Sequence, residues 1–145
     1  MFDMEDKKWK FLSFMNIERE IFAYCQINNR YIYVFGGFNV NHLDSIERYD
    51  ILNDKWQLMN FKMKRPMQNS TAVTINSEKI ALVGGYNGSL HKSVEILNLV
   101  DKSWTTLEFM ELARRKSHVY YYKDKVNYNL IGNKYYLDLY IWRRV

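Results

Sequence analysis

Three tryptophans set the period of this chain. Trp9, Trp56 and Trp104 lie 47 and 48 residues apart, and similar sequence surrounds each of them. FDMEDKKW from Phe2, YDILNDKW from Tyr49 and LNLVDKSW from Leu97 each read as an extended stretch, a polar turn and the tryptophan. Gly36-Gly37 returns 48 residues later as Gly84-Gly85, and Ser45-Ile46-Glu47 returns as Ser93-Val94-Glu95. Leu12, Phe14 and Met15 follow the first tryptophan, Leu58, Phe61 and Met63 the second, and Leu107, Phe109 and Met110 the third. Arg19, Arg65 and Arg114 come next in each register. Several independent marks sharing one register establish an internal repeat, and a period of this size means stacked supersecondary units with a continuous core between them.

Each unit reads as short strands. Residues 21–27 and 31–35 are apolar and aromatic, are separated by a turn at Asn28-Asn29 and are closed by Gly36, which predicts a hairpin. The next unit predicts four strands, over 70–75, 79–83, 93–99 and 103–107, with Asn, Asp, Ser and Lys in the turns. Helical repeats of comparable length need long apolar faces of period 3.6, and these runs do not supply them. Four strands, a double glycine and a period of about 50 residues describe a β-propeller blade.

Here the residues resemble the kelch family: a double glycine after an apolar strand, a Val-Glu strand, a tryptophan, then a methionine and an arginine. The stretch VGGYNGSLHKSVEILNLVDKSWTTLEFMELARR from Val83 is the most similar, and its spacing looks like that of the kelch repeats in BTB-kelch adaptors, cytosolic proteins that bring substrates to ubiquitin ligases. The resemblance implies an all-β fold of kelch-type propeller blades. Two complete four-stranded blades are expected, with partial blades at both ends and no complete ring. Residues 1–18 read as the end of a preceding repeat, 19–63 and 64–113 as repeats, and 114–145 as an incomplete, divergent one with Gly132 alone in place of the glycine pair. Trp142 falls too early to be the repeat tryptophan. Trp9, Gly36, Gly37, Glu47, Trp56, Gly84, Gly85, Glu95, Trp104 and Gly132 are expected to be scaffold. Strands crowd toward a propeller axis, where glycine avoids a clash, and each tryptophan can bury about 150–250 Å² between blades.

No catalytic constellation stands out, and neither a cofactor nor a metal is expected. His42, His91 and His118 lack metal-ligand spacing, although His42 and His91 occupy corresponding loops. Gly84-Gly85-Tyr86-Asn87-Gly88 lacks the Gly-Lys-Ser/Thr ending of a phosphate loop. The single cysteine, Cys25, excludes an internal disulfide and fits a reducing, cytoplasmic setting. MFDMEDKKWK lacks the apolar core of a signal peptide, and no apolar run reaches the roughly 20 residues of a membrane span.

The net charge is +5, but both signs are interspersed, which argues against nucleic acid. The loop between the second and third strands of a blade shares a face with the blade-to-blade connection. That face should carry His42, Lys62, Lys64, Arg65, His91, Lys92, Arg114, Arg115 and Lys116, and an acidic protein or peptide is its natural partner. A protein-interaction module is therefore expected, with substrate recognition akin to that of ubiquitin-ligase adaptors as its specific form. A propeller enzyme with a metal or polar central pocket and a non-functional fragment are the alternatives. A homodimer of six blades, formed by exchange of chain ends, is a further possibility that ranks behind an open fragment.

Overall fold

A computed structural model describes residues 1–107, 110–129 and 137–140. Two short strands, β1 (Phe2–Asp3) and β2 (Lys8–Trp9), pair as a hairpin. The first four-stranded sheet comprises β3 (Ala23–Ile27), β4 (Tyr31–Phe35), β7 (Ser45–Asp50) and β8 (Lys55–Lys62), in the antiparallel order β3-β4-β7-β8. A minor hairpin, β5 (Phe38–Asn39) and β6 (Asn41–His42), occupies the loop between its second and third strands. The second sheet repeats this plan with β9 (Thr71–Thr74), β10 (Lys79–Val83), β11 (Val94–Asn98) and β12 (Trp104–Thr106). The third contains β13 (His118–Tyr122), β14 (Lys125–Asn129) and β15 (Leu137–Tyr140). The described residues contain no helix, and no sheet closes on itself. The architecture is a partial propeller of antiparallel blades. Gly132 and Trp142 lie outside the described residues.

Alternation along the strands explains why the sheets stack. Ile80 and Leu82 of β10 face the first blade, where they join Leu97 of β11 against Ile27, Tyr33, Phe35 and Ile46 in one buried cluster. The intervening Ala81 and Val83 face the other way and meet Val94 and Val126 in a second cluster. A middle blade is thus apolar on both faces, so its core strands read as continuous hydrophobic runs instead of a two-residue alternation. Strand β9 lies beside both β3 and β13, which places the first strand of each blade innermost.

The tryptophans are less buried than interblade core would require. Trp56 and Trp104 are half-buried, and Trp9 is 77 % exposed. Their indole N–H groups act as ties: Trp104 Nε1 donates to the Lys62 carbonyl at 2.9 Å, and Trp56 Nε1 to the Ser13 carbonyl at 3.0 Å. Each tryptophan of an outer strand thereby holds the chain arriving from the preceding unit.

The innermost connections are joined by a second device. Asn69 N donates to the Ile21 carbonyl at 2.9 Å, and Lys116 N donates to the Asn69 carbonyl at 3.0 Å. These three repeat-equivalent residues all have left-handed backbone, with φ of 53° at Ile21, 57° at Asn69 and 54° at Lys116. Asparagine tolerates that region, whereas a β-branched side chain there costs about 1–2 kcal/mol. Ile21 is also 42 % exposed. Ile21→Asn is therefore expected to stabilise the fold by about 1 kcal/mol, read as a higher urea midpoint at constant m. An unchanged or lower midpoint would mean that the isoleucine side chain contributes more packing than its backbone costs.

Candidate functional site

The loop face is built on backbone pairing around the double glycines. Gly37 N donates to the Met67 carbonyl at 2.8 Å, and Met67 N donates to the Leu43 carbonyl at 2.9 Å. One repeat later, Gly85 N donates to the Arg114 carbonyl at 2.9 Å and Arg114 N to the His91 carbonyl at 3.0 Å. The glycine pair, the loop between second and third strands, and the connection to the next blade are thus fastened together. These bonds bring together the segments on which the predicted loop residues stand.

Their side chains divide into two groups. Arg65 Nη2 donates to Glu95 Oε1 at 2.7 Å, and Glu95 is 2 % exposed. Arg114 is 7 % exposed, and its Nε donates to the Leu112 carbonyl. Arg65 is thus tied to a buried carboxylate while its own side chain stays 35 % exposed, and Arg114 is buried. Lys62 pairs with Asp44 at 3.1 Å, and Lys64 donates to Thr106 Oγ1. Lys92, Arg115 and Lys116 are exposed. Arg115 lies over the Tyr86 ring, 5.1 Å from its centroid.

Arg19 explains the division. Its guanidinium and the Glu47 carboxylate form an ion pair of 2.6 Å with both side chains wholly buried. Arg19 Nη1 donates to the Gly36 carbonyl at 2.8 Å and to the Ser45 carbonyl at 3.1 Å. Glu47 Oε2 accepts from the backbone N–H and the side-chain amide of Asn16, each at 2.8 Å. Desolvation raises the Glu47 pKa, but the hydrogen bonds from Asn16, Arg19 and Ile17 outweigh it and leave the carboxyl below its ordinary value. Arg65 and Glu95 repeat this pair in the second blade.

His42 and His91 engage different partners. The His42 ring packs edge-on against Phe38 and approaches Tyr86, with centroids 5.4 and 6.0 Å away. His91 Nε2 meets Asn87 Oδ1 at 2.6 Å. Burial, and then the Arg65 charge, lower the His91 pKa below its ordinary value. Among the described residues, no group of three or more His, Cys, Asp or Glu is placed to hold a metal.

Two features of this face escape the sequence reading. Val40, at the tip of the β5–β6 hairpin, is 83 % exposed and has a φ of 59°. An exposed β-branched residue in left-handed backbone is a strained position of the kind that concentrates at binding surfaces. Glu18 and Glu20 are exposed beside this hairpin, around a shallow pocket that also involves Phe38 and Val40. Two exposed carboxylates thus stand beside the hairpin of the first blade.

No curated protein matches the chain. Residues 25–60, which run from the first strand of the first blade into its outermost strand, match the family model described as Kelch motif.

Proposed function

We propose that the chain is a protein-binding module that receives an acidic segment of its partner on the loop face, at Lys92, Arg115 and Lys116. The carrying observation is the division among the basic side chains: these three are exposed, whereas Arg65 and Arg114 belong to the scaffold. Val40 supplies an apolar contact at the opposite edge. The kelch match at residues 25–60 supports an interaction scaffold. The resemblance of the second repeat to adaptor repeats extends this reading to substrate capture for a ubiquitin ligase in the cytoplasm, a setting consistent with a single cysteine that is buried.

Fluorescence polarisation against labelled Asp/Glu-rich, neutral and Lys-rich peptides tests the reading at low and high salt. The acidic peptides should bind most tightly, and affinity should weaken with salt. Replacing Lys92, Arg115 and Lys116 together with serine should lower affinity about tenfold or more while leaving the thermal melt unchanged, the size expected when several rim charges are lost. Equal affinity for all three peptide classes, or for wild type and variant, would refute it.

A further inference from the structure

Strand β7 of the first blade holds a cation that the blade does not neutralise. The Arg48 guanidinium lies 4.4 Å from the centroid of the Tyr31 ring, and its Nη2 donates to Gln57 Oε1 at 2.6 Å. It also hydrogen-bonds the Tyr33 hydroxyl. These contacts orient the group but bring it no negative charge, and they leave part of its five-donor fork for a further acceptor. Among the described residues, neither Arg48 nor Lys55 forms an ion pair. Arg48 is half-buried, so water screens its charge only in part.

Register places the two cations together. β7 and β8 pair Arg48 with Gln57 and Asp50 with Lys55, so all four stand on one face of the sheet, with Lys55 diagonal to Arg48 and within reach of a common ligand. They line a pocket of about 370 Å³ together with Asn53 and Trp56. Its carboxylate, Asp50, is already engaged: Arg30 Nη2, Asn53 Nδ2 and Leu52 N donate to it at 2.9, 2.8 and 3.1 Å. Arg30 cancels the Asp50 charge, and Arg48 and Lys55 leave the pocket positive.

The repeat shows that a blade does not need this charge. Forty-eight residues on, Arg48, Asp50, Lys55 and Gln57 become Ile96, Asn98, Ser103 and Thr105, and the same four-stranded sheet forms. Ile96 packs against the apolar cluster between the second and third blades. A partly desolvated cation without a counter-charge costs stability where an apolar side chain serves.

We propose that this pocket is an oxyanion site that takes a phosphoryl or carboxylate group of a peptide side chain. The Arg48 fork, held flat against Tyr31, matches two oxygens of such a group, and Lys55 supplies a second charge. The volume lies within the roughly 300–1,000 Å³ of ligand pockets. The site stands toward the Asp50 end of β7, whereas the β5–β6 hairpin precedes its Ser45 end. It is therefore separate from the loop face and independent of what that face binds.

NMR of the isotope-labelled full chain tests this, with inorganic phosphate and acetate as separate probes at fixed ionic strength. The Arg48 Nε–H signal, identified by its absence in Arg48→Met, should shift saturably with a dissociation constant on the order of 1 mM, as should the amides of Asn53 and Gln57. Those amide shifts should vanish in Arg48→Met. Lys55→Gln, at an exposed position, should weaken binding about threefold or more with an unchanged far-ultraviolet spectrum. Saturation by phosphate alone assigns a phosphoryl ligand, and saturation by acetate assigns a carboxylate. No saturable shift with either probe, equal affinity of wild type and Lys55→Gln, or binding that survives in folded Arg48→Met overturns the proposal.

Discussion

Gly36→Ala is expected to destabilise the fold by about 3 kcal/mol or more. Gly36 has a φ of 56°, and a Cβ there would stand 2.3 Å from the Met67 carbonyl oxygen and 2.9 Å from that of Leu43. The Met67 carbonyl is held in place because it accepts from Gly37 N at 2.8 Å. Relieving the clash would break the bond that fastens the second blade to the first. Left-handed backbone costs alanine about 1 kcal/mol or more, and overpacking against a fixed group adds about 1–3. Gly88 provides an internal control, since its φ is 105° but no atom lies within 4 Å of a Cβ built there. Gly88→Ala should cost only about 1 kcal/mol. Urea denaturation of the two variants separates backbone strain from close approach. Equal losses would show that the approach of Met67 contributes nothing.

The blades were legible in the sequence because their marks recur with a common period and each mark has a local cause. The strands over 31–35 and 79–83 have the predicted bounds, since a turn precedes and a glycine follows each. The strand expected over 21–27 begins only at Ala23. Ile21 and Phe22 are apolar, but Ile21 is turned into left-handed backbone by the bond that Asn69 makes to its carbonyl. That bond depends on a residue 48 positions away, so the sequence around Ile21 carries no sign of it. The repeat register and the size of tryptophan predict side chains buried between blades. Their indole N–H groups instead bind carbonyls 42 and 43 residues upstream, and a polar tip of that kind keeps the ring at the edge of the interface.

The loop face was partly legible for a related reason. Strand order alone predicts that the second-to-third-strand loop and the connection to the next blade share a side, and the backbone bonds of Gly37 and Gly85 join them there. Charge, however, does not reveal exposure. Arg65 and Arg114 look like Arg115 and Lys116 in sequence, yet Glu95 holds the first and burial encloses the second. The available signal was the shared period: an arginine that recurs in step with a glutamate is a candidate for pairing with it. Val40 gave no signal, because its exposure and its strained φ exist only once the β5–β6 hairpin has formed.

The Arg19–Glu47 pair should have the other large effect. Arg19→Met leaves a carboxylate with no exposure and no counter-ion, and breaking a buried pair in this way costs about 3–5 kcal/mol. Glu47→Gln should cost less, because the amide oxygen still accepts at one of the two positions, although the donors from Asn16 and those from Ile17 and Arg19, which bond different carboxylate oxygens, can no longer all be satisfied. Acidification identifies the charge itself. The folded pKa of Glu47 lies below its ordinary value of 4.5. Its contribution is therefore complete above that value and is lost as pH falls through the lower, folded one. The stability gap between wild type and Glu47→Gln should be constant from neutral pH down to about 5 and should shrink below 4.5. Chemical denaturation at a series of pH values measures it. A gap that persists unchanged to pH 3 would show that Glu47 acts through shape and neutral hydrogen bonding, with its charge contributing nothing to the joint between the amino-terminal segment and the first blade.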